Sequence, residues 1–184
     1  MNDKELDFKK LKKSFDEKDE TENIRKQIDE LEDEIVDKKF NPDITPLSKL
    51  HDIMDEISFI TTKLGKLKRR ALRQELRAKL YITDINLSYS KKYDRLFIKE
   101  PTKDGAGKNI LKANLEASVK EKLEEEDGYR NIASKKEFRV KDYLKEIDAF
   151  IYVMTEIKDK CSRKISLMAL QKDLGVLIDV TKKK

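Results

Sequence analysis

The sequence predicts an all-α protein of long, coiled-coil-like helices that forms a homo-oligomer and contains no sheet. Three observations carry that reading. Charged residues make up 43% of the 184-residue chain and hydrophobic residues only 38%, against about a quarter and about half in an ordinary globular domain. Five glycines and three prolines leave few places for tight turns. Apolar residues recur at steps of three and four through most of the chain, and no segment alternates with period two. Helices with narrow apolar stripes bury little by themselves and complete their burial against other copies or partners.

The elements follow in order. Phe8, Leu11 and Phe15 are spaced by three and four, with Lys9, Lys10, Lys12 and Lys13 between them, a short basic amphipathic segment. An acidic run, Asp16–Glu22, follows. Ile24, Ile28, Leu31 and Ile35 then form a short heptad seam. A helix this short is marginal in water, so residues 1–40 read as an acidic helical arm, ordered only when docked. Pro42 and Pro46 stop the pattern, and Thr45-Pro46 supplies an N-cap and a first-turn residue for the next helix.

That helix carries the strongest periodicity. Leu50, Ile53, Ile57, Ile60, Leu64, Leu67 and Ala71 stay in register without a miss, and Leu72, Leu76, Leu80 and Leu87 continue the apolar positions to about Leu96. Gly65 lies inside it, where close helix approach would explain a residue costing about 1 kcal/mol relative to Ala. Lys103–Lys108 reads as a flexible loop. Leu111, Leu115, Val119 and Leu123 mark a shorter helix ending near Gly128. A last long helix starts around Phe138, runs along Tyr143, Ile147, Phe150, Met154, Ile157 and Cys161, and reaches Gly175, a C-cap residue. Residues 44–178 thus form the main helical domain, with a basic tail at 179–184.

Chemistry-bearing groups are sparse. Gly105-Ala-Gly107-Lys108-Asn109 lacks the first glycine and the final hydroxyl of a phosphate loop, and no strand precedes it. His51 is the only histidine, so neither a histidine metal site nor a nucleophile–base pair can be assembled. The single Cys161 sits on an apolar stripe, where a buried structural thiol is the ordinary reading. The acidic runs Asp16–Glu22 and Glu124–Asp127 read as solvated faces. No catalytic group, metal or cofactor is expected. One lone cysteine, no apolar leader and no run of about 18 or more apolar residues predict a soluble intracellular protein with no membrane span. A membrane-surface role for Phe8–Phe15 is a further, weaker option.

Charge supplies the one positive signal. The net charge is +5 over the chain, but residues 1–40 carry −4 and residues 41–99 carry +6. Lys63, Lys66, Lys68, Arg69, Arg70, Arg73, Arg77 and Lys79 fall within 17 residues with only Glu75 opposing. At about 100° per residue, Lys66, Arg70, Arg73 and Arg77 share one face beside the packing seam. Charge runs are commonly solvated helix faces, but a self-paired helix would place Glu at i±4. Anion binding therefore competes with the solvated-face reading. Tyr81, Tyr89, Tyr93 and Phe97 follow, interleaved with Lys91, Lys92, Arg95 and Lys99. Such rings either stack on bases or line a core, and the sequence leaves both open.

At Leu76-Arg77-Ala78-Lys79-Leu80 the sequence resembles the Leu-Lys-Ala-Arg-Leu segment of the T4-type phage recombination mediators, the UvsY family, with the two basic types exchanged. The layout is similar from Ile44 to Leu174: a long helix into the motif, aromatics after it, a loop, an acidic segment and an apolar C-terminal helix containing a cysteine. Residues 1–40 have no counterpart, and the loop Lys99–Asn109 differs. The resemblance implies a single-stranded-DNA-binding protein, in a ring-like homo-oligomer, that helps a RecA-like recombinase displace the single-strand-binding protein. For a phage protein, that implies the host cytoplasm. Arg77 and Lys79 would inherit DNA contact, and helix geometry extends the candidate surface to Lys63, Lys66, Arg69, Arg70 and Arg73, with Tyr81 adjoining. Tyr143, Ile147, Phe150, Met154, Ile157 and Cys161 would form the subunit interface if the last helix is the oligomerisation element. The alternative is a coiled-coil scaffold or phage assembly adaptor that binds no nucleic acid. The acidic arm would, on a further hypothesis, shield the basic helix in the free protein.

Overall fold

The computed structural model describes residues 8–181 other than Lys18, Asp104 and Ala106, with side-chain surroundings for residues 12–175 apart from the same three. The side chains of Phe8, Leu11 and the tail 179–184 lie outside the described residues. Five helices are present among them: α1 Phe8–Glu17, α2 Thr21–Lys38, α3 Leu47–Lys99, α4 Lys112–Glu121 and α5 Glu124–Thr181. There is no strand among the described residues. A single antiparallel bridge between Lys103 and Asn109 closes the loop after α3, and Gly107 takes a φ of 79° there, a left-handed conformation that favours glycine. The fold is all-α.

The helices differ from the sequence expectation at both ends of α5, at Gly128, at Thr45 and at Gly65. α5 begins at Glu124, well before Phe138, and neither Gly128 nor Gly175 ends a helix. Four acids in its first turn suit the positive end of the helix dipole, and one interior glycine costs only about 1 kcal/mol. The real break is the two-residue turn at Lys122 and Leu123. Thr45 does not act as an expected N-cap; its hydroxyl donates to the Asn41 carbonyl oxygen at 2.6 Å, and α3 starts at Leu47. Close approach at Gly65 is also not the explanation for that glycine, because a Cβ there would meet nothing within 4 Å.

The chain divides into two compact units. One takes the segment up to Glu22 together with Leu72–Asp142; the other takes Asn23–Ala71 together with residues from Tyr143 onward. The arm 1–40 is therefore no separate body: its halves belong to different units.

In the second unit, α2, the first part of α3 and the middle of α5 share one core. Ile24, Ile28, Ile57, Ile60, Leu64, Ile147, Met154 and Cys161 are all fully buried. Burying each aliphatic side chain contributes about 1.5–3 kcal/mol, which is what holds α2 in place. Ile147, Met154 and Cys161 are thereby occupied within the chain, and Tyr143, Phe150 and Ile157 are half-buried beside them. For Ile147, Met154 and Cys161 that corrects the assignment to a subunit interface, because these three find their cover in their own chain.

The turn between α2 and α3 is fastened by Lys164, whose Nζ donates to the carbonyl oxygens of Pro42, Asp43 and Thr45 at 2.8, 3.0 and 3.0 Å. Lys164→Met keeps the stem and removes the donors. It is expected to cost roughly 1–2 kcal/mol, since charged hydrogen bonds of this kind are worth about that much when partly exposed, and to speed amide exchange in residues 40–46. Hydrogen-exchange mass spectrometry checks it.

The first unit is built around Tyr81, Ile85 and Ala133, with Phe15, Ile82 and Tyr129 packed against them. Val119, Leu123 and Val140 are also buried there. Glu126, on the acidic run of α5, is only 9% exposed and its Oε1 lies 2.7 Å from Lys92 Nζ. It is a paired group in a packed setting and not part of a solvated face. Glu100 pairs with Lys122 in the same unit.

Candidate nucleic-acid interface

The basic stretch of α3 has two parts in different surroundings. In the second unit, Lys63 Nζ sits 2.8 Å from Glu34 Oε2 and 4.6 Å from the centre of the Phe59 ring. Lys68 Nζ lies 2.6 Å from Asp148 Oδ1, and an Arg70 guanidinium N–H donates to Gln27 Oε1 at 2.7 Å. Lys66 and Arg69 are exposed. A cleft of about 430 Å³ between α2 and α3 is lined by Glu30 and Glu34 opposite Lys63, Lys66 and Arg70. The counter-acids missing from the helix at i±4 therefore come from α2 and α5. A phosphate entering that cleft would meet two carboxylates, which opposes its binding.

In the first unit, Arg73, Arg77 and Lys79 are exposed. Lys79 Nζ lies 2.6 Å from Glu75 Oε1 on the preceding turn, a pair worth a few tenths of a kcal/mol on a helix surface. Arg77 borders a smaller cleft of about 200 Å³ together with Ser14, Phe15, Leu80 and Asp84. The core of this unit packs on α3 through Ala78, Tyr81 and Ile85; Lys79 faces away from it, while Arg77 lies one turn before Tyr81 at its edge.

Tyr81 is not available to a nucleic acid. It is 6% exposed and its ring stacks on Phe15 with centroids 4.3 Å apart and planes 7° from parallel. Sequence placed it beside Lys79, but the two residues differ by about 200° around the helix, so one faces water and the other the core. Tyr89, Tyr93 and Phe97 form a ladder along α3 with centroid spacings of 6.3 and 6.0 Å. All three are half-buried, and the Arg130 guanidinium covers Tyr89 at 5.6 Å.

Phe15 is itself clamped. Lys136 Nζ lies 4.8 Å from its ring centre, 2.6 Å from Asp19 Oδ2 and 3.4 Å from Asp16 Oδ1. Asp19 Oδ1 accepts the Thr21 amide at 3.0 Å and the Thr21 hydroxyl at 2.5 Å, which starts α2. Asp19 is thus a structural group and not the solvated one expected, whereas Glu17 and Glu22 of the same run are exposed. Burial, the largest single influence on Asp19, would raise its pKa, but the bonds from Lys136 and Thr21 together hold it below its ordinary 3.8. Lys136 is likewise lowered by burial and raised more by Asp19 and Asp16, ending above its ordinary 10.5. The depressed carboxyl contributes stability that is fully present above pH 3.8 and lost as pH falls through the folded value; the raised ammonium contributes below pH 10.5 and loses it as pH rises further. Denaturation of Asp19→Asn should therefore lack the part of the acid-side loss that the parent shows below pH 3.8, and a parallel loss in both proteins would reject the assignment.

Elsewhere, His51 is exposed near the start of α3, and burial pushes the Cys161 thiol above its ordinary pKa. Among the described residues no group of three or more His, Cys, Asp or Glu side chains could hold a metal ion, and no helix is long and apolar enough to cross a membrane. Sequence reading missed one surface. Leu72, Leu76, Leu80 and Leu87 do not continue the packing seam; they are 44, 57, 56 and 58% exposed. Comparison of the chain with protein-family models, curated proteins and solved structures finds no match.

Proposed function

We propose that this chain is a single-stranded-DNA-binding recombination mediator without catalysis of its own, helping a RecA-like recombinase onto DNA covered by single-strand-binding protein, and that it grips phosphate through Arg73, Arg77 and Lys79. The observation that carries the binding half is that all three side chains are exposed on α3, with Arg73 and Arg77 on one flank of the helix and Lys79 on the other. The mediator half rests on the resemblance at Leu76–Leu80. With Tyr81 in the core, binding on this reading is governed by the backbone phosphates and not by a ring at that position. Homo-oligomerisation, which would multiply one weak cationic face along a strand, is assigned to the apolar side chains still exposed on α5, Leu167, Leu170 and Leu174; sedimentation velocity reads it.

The test is fluorescence anisotropy on single-stranded DNA over a range of salt. Each phosphate neutralised on a single strand contributes about −0.7 to the salt slope, so Arg73→Ala/Arg77→Ala/Lys79→Ala should lower the slope magnitude by about 2. Affinity at low salt should fall roughly tenfold or more. Helicity and unfolding should not change. Unaltered affinity in this triple variant would remove the proposed site. Stimulation of strand exchange by a RecA-like recombinase on protein-covered DNA tests the mediator role separately.

A helical adaptor that binds no nucleic acid remains the second reading, favoured by the exposed leucines of α3. It predicts no salt-sensitive binding to DNA at all.

A further inference from the structure

The exposed leucines of α3 form an ordered ridge. At about 100° per residue, Leu72, Leu76, Leu80 and Leu87 fall with Thr83 within an arc of about 80°, centred nearly opposite the core positions Ala78, Tyr81 and Ile85. All five are exposed, and the arc lies wholly in the first unit. Arg73, Arg77 and Asp84 flank it on one side, Glu75 and Lys79 on the other.

We infer that this ridge pairs with the same ridge of a second copy, the two α3 helices running antiparallel about a two-fold axis beside Leu80. A closed pair of this kind requires a patch that is complementary to itself, and this one is so in both apolar layers and charge. With the axis between Lys79 and Leu80, Leu72 comes level with Leu87 of the copy, Leu76 with Thr83 of the copy, and Leu80 stands next to its own equivalent. Thr83 fits such a seam because its hydroxyl already donates to the Lys79 carbonyl oxygen at 3.0 Å, which leaves no orphan donor to bury.

Charge selects the orientation. In an antiparallel pair each flank faces its own equivalent. Asp84 of the copy then falls midway between the levels of Arg73 and Arg77, about 3 Å along the axis from each, and the two-fold axis repeats this at the other end. Arg77 and its equivalent stay about 7.5 Å apart along the axis, farther than either is from Asp84. Lys79 does meet Lys79, but each is neutralised in its own chain by Glu75 at 2.6 Å. A parallel pair also sets Arg73 against Glu75, yet it adds Arg77 against Lys79 and leaves Asp84 facing Asn86. Opposite charges across a helix pair choose partner and orientation. Asp84 is half-buried and makes no ion pair among the described residues. Arg73 and Arg77 each have a contact within the chain, but a guanidinium carries five N–H donors and both side chains are exposed.

Cysteine cross-linking in the full chain tests the pairing apart from any association through α5 and without DNA. The variants are Leu72→Cys, Leu80→Cys and Leu87→Cys, all at exposed positions, treated with a short thiol–thiol cross-linker; the parent, whose Cys161 is buried, is the control. The expected result is a linked dimer of Leu80→Cys alone, none of Leu72→Cys or Leu87→Cys alone, and a linked dimer when those two are mixed. Asp84→Arg in the Leu80→Cys chain should weaken the pairing roughly tenfold or more. Mixing it with Arg73→Glu/Arg77→Glu in the Leu80→Cys chain should restore the link, with circular dichroism confirming that both variants fold. Absence of a link in Leu80→Cys overturns the proposal, as do oligomers that form without any of these links, which would leave association to α5. Linking of Leu72→Cys by itself overturns the antiparallel pair, and an unchanged yield in Asp84→Arg overturns the charge match. Binding to anionic phospholipid vesicles that Leu76→Ser/Leu80→Ser abolishes, with no link in Leu80→Cys, assigns the ridge to a membrane surface instead.

Discussion

Replacing Tyr81 with alanine is expected to destabilise the protein by about 3–5 kcal/mol, the range for removing a large aromatic side chain from a packed core. The ring is 6% exposed, stacks on Phe15 at 4.3 Å and joins Ile85 and Ala133 in one cluster. Its loss leaves a void between α1, α3 and α5 and removes the platform on which Phe15 rests. Tyr81→Phe keeps the volume and the stack, so it should stay within about 1 kcal/mol of the parent, close to the net worth of one hydrogen bond. Chemical denaturation measures both. The phenylalanine variant should also bind DNA as the parent does. A specific loss of affinity in Tyr81→Phe, with stability retained, would return Tyr81 to the nucleic-acid surface.

Ile28→Ala is the second large effect, expected at about 2–5 kcal/mol. Ile28 is fully buried, as is Ile24 one turn earlier, and both belong to the segment whose sequence reads as an arm ordered only by docking. In the structure docking is intramolecular: the α2 seam meets α3 and α5, and Arg25 fastens its outer edge through Glu146 at 2.8 Å. If α2 is part of the cooperative core, the denaturation midpoint of the whole second unit falls with Ile28→Ala. If the arm is dispensable, the midpoint stays and only the helical signal of residues 21–38 is lost. The same variant tests shielding. Loosening α2 takes Glu30 and Glu34 away from Lys63, Lys66 and Arg70, so low-salt DNA affinity should rise on the shielding hypothesis and remain unchanged without it.

Much of this was legible in the residues. A high charge fraction, few breakers and apolar steps of three and four determine long helices, because the α-helix alone places such residues on one side. The prolines at 42 and 46 determine the turn before α3. The buried positions Leu50, Ile57, Ile60, Leu64, Leu67 and Ala71 were all named by the periodicity of α3. Cys161 in the core and His51 on the surface follow from their places on that pattern.

Only the tertiary structure decided which helix answers which stripe. Periodicity says that Ile147, Met154 and Cys161 must be covered, but it is silent on whether the cover comes from another copy or from α2 and α3. It likewise says that Lys63 and Lys68 lack acids at i±4, but not that Glu34 and Asp148 reach them from other helices. Tyr81 and Lys79 are two positions apart in sequence and on opposite sides of the helix. Leu76 and Ala78 have the same relation, and there the smaller residue is the buried one. Helical repetition is a local property of the backbone and survives in the sequence. Burial and charge pairing depend on residues 29 to more than 100 positions away, and that information exists only once the helices have packed.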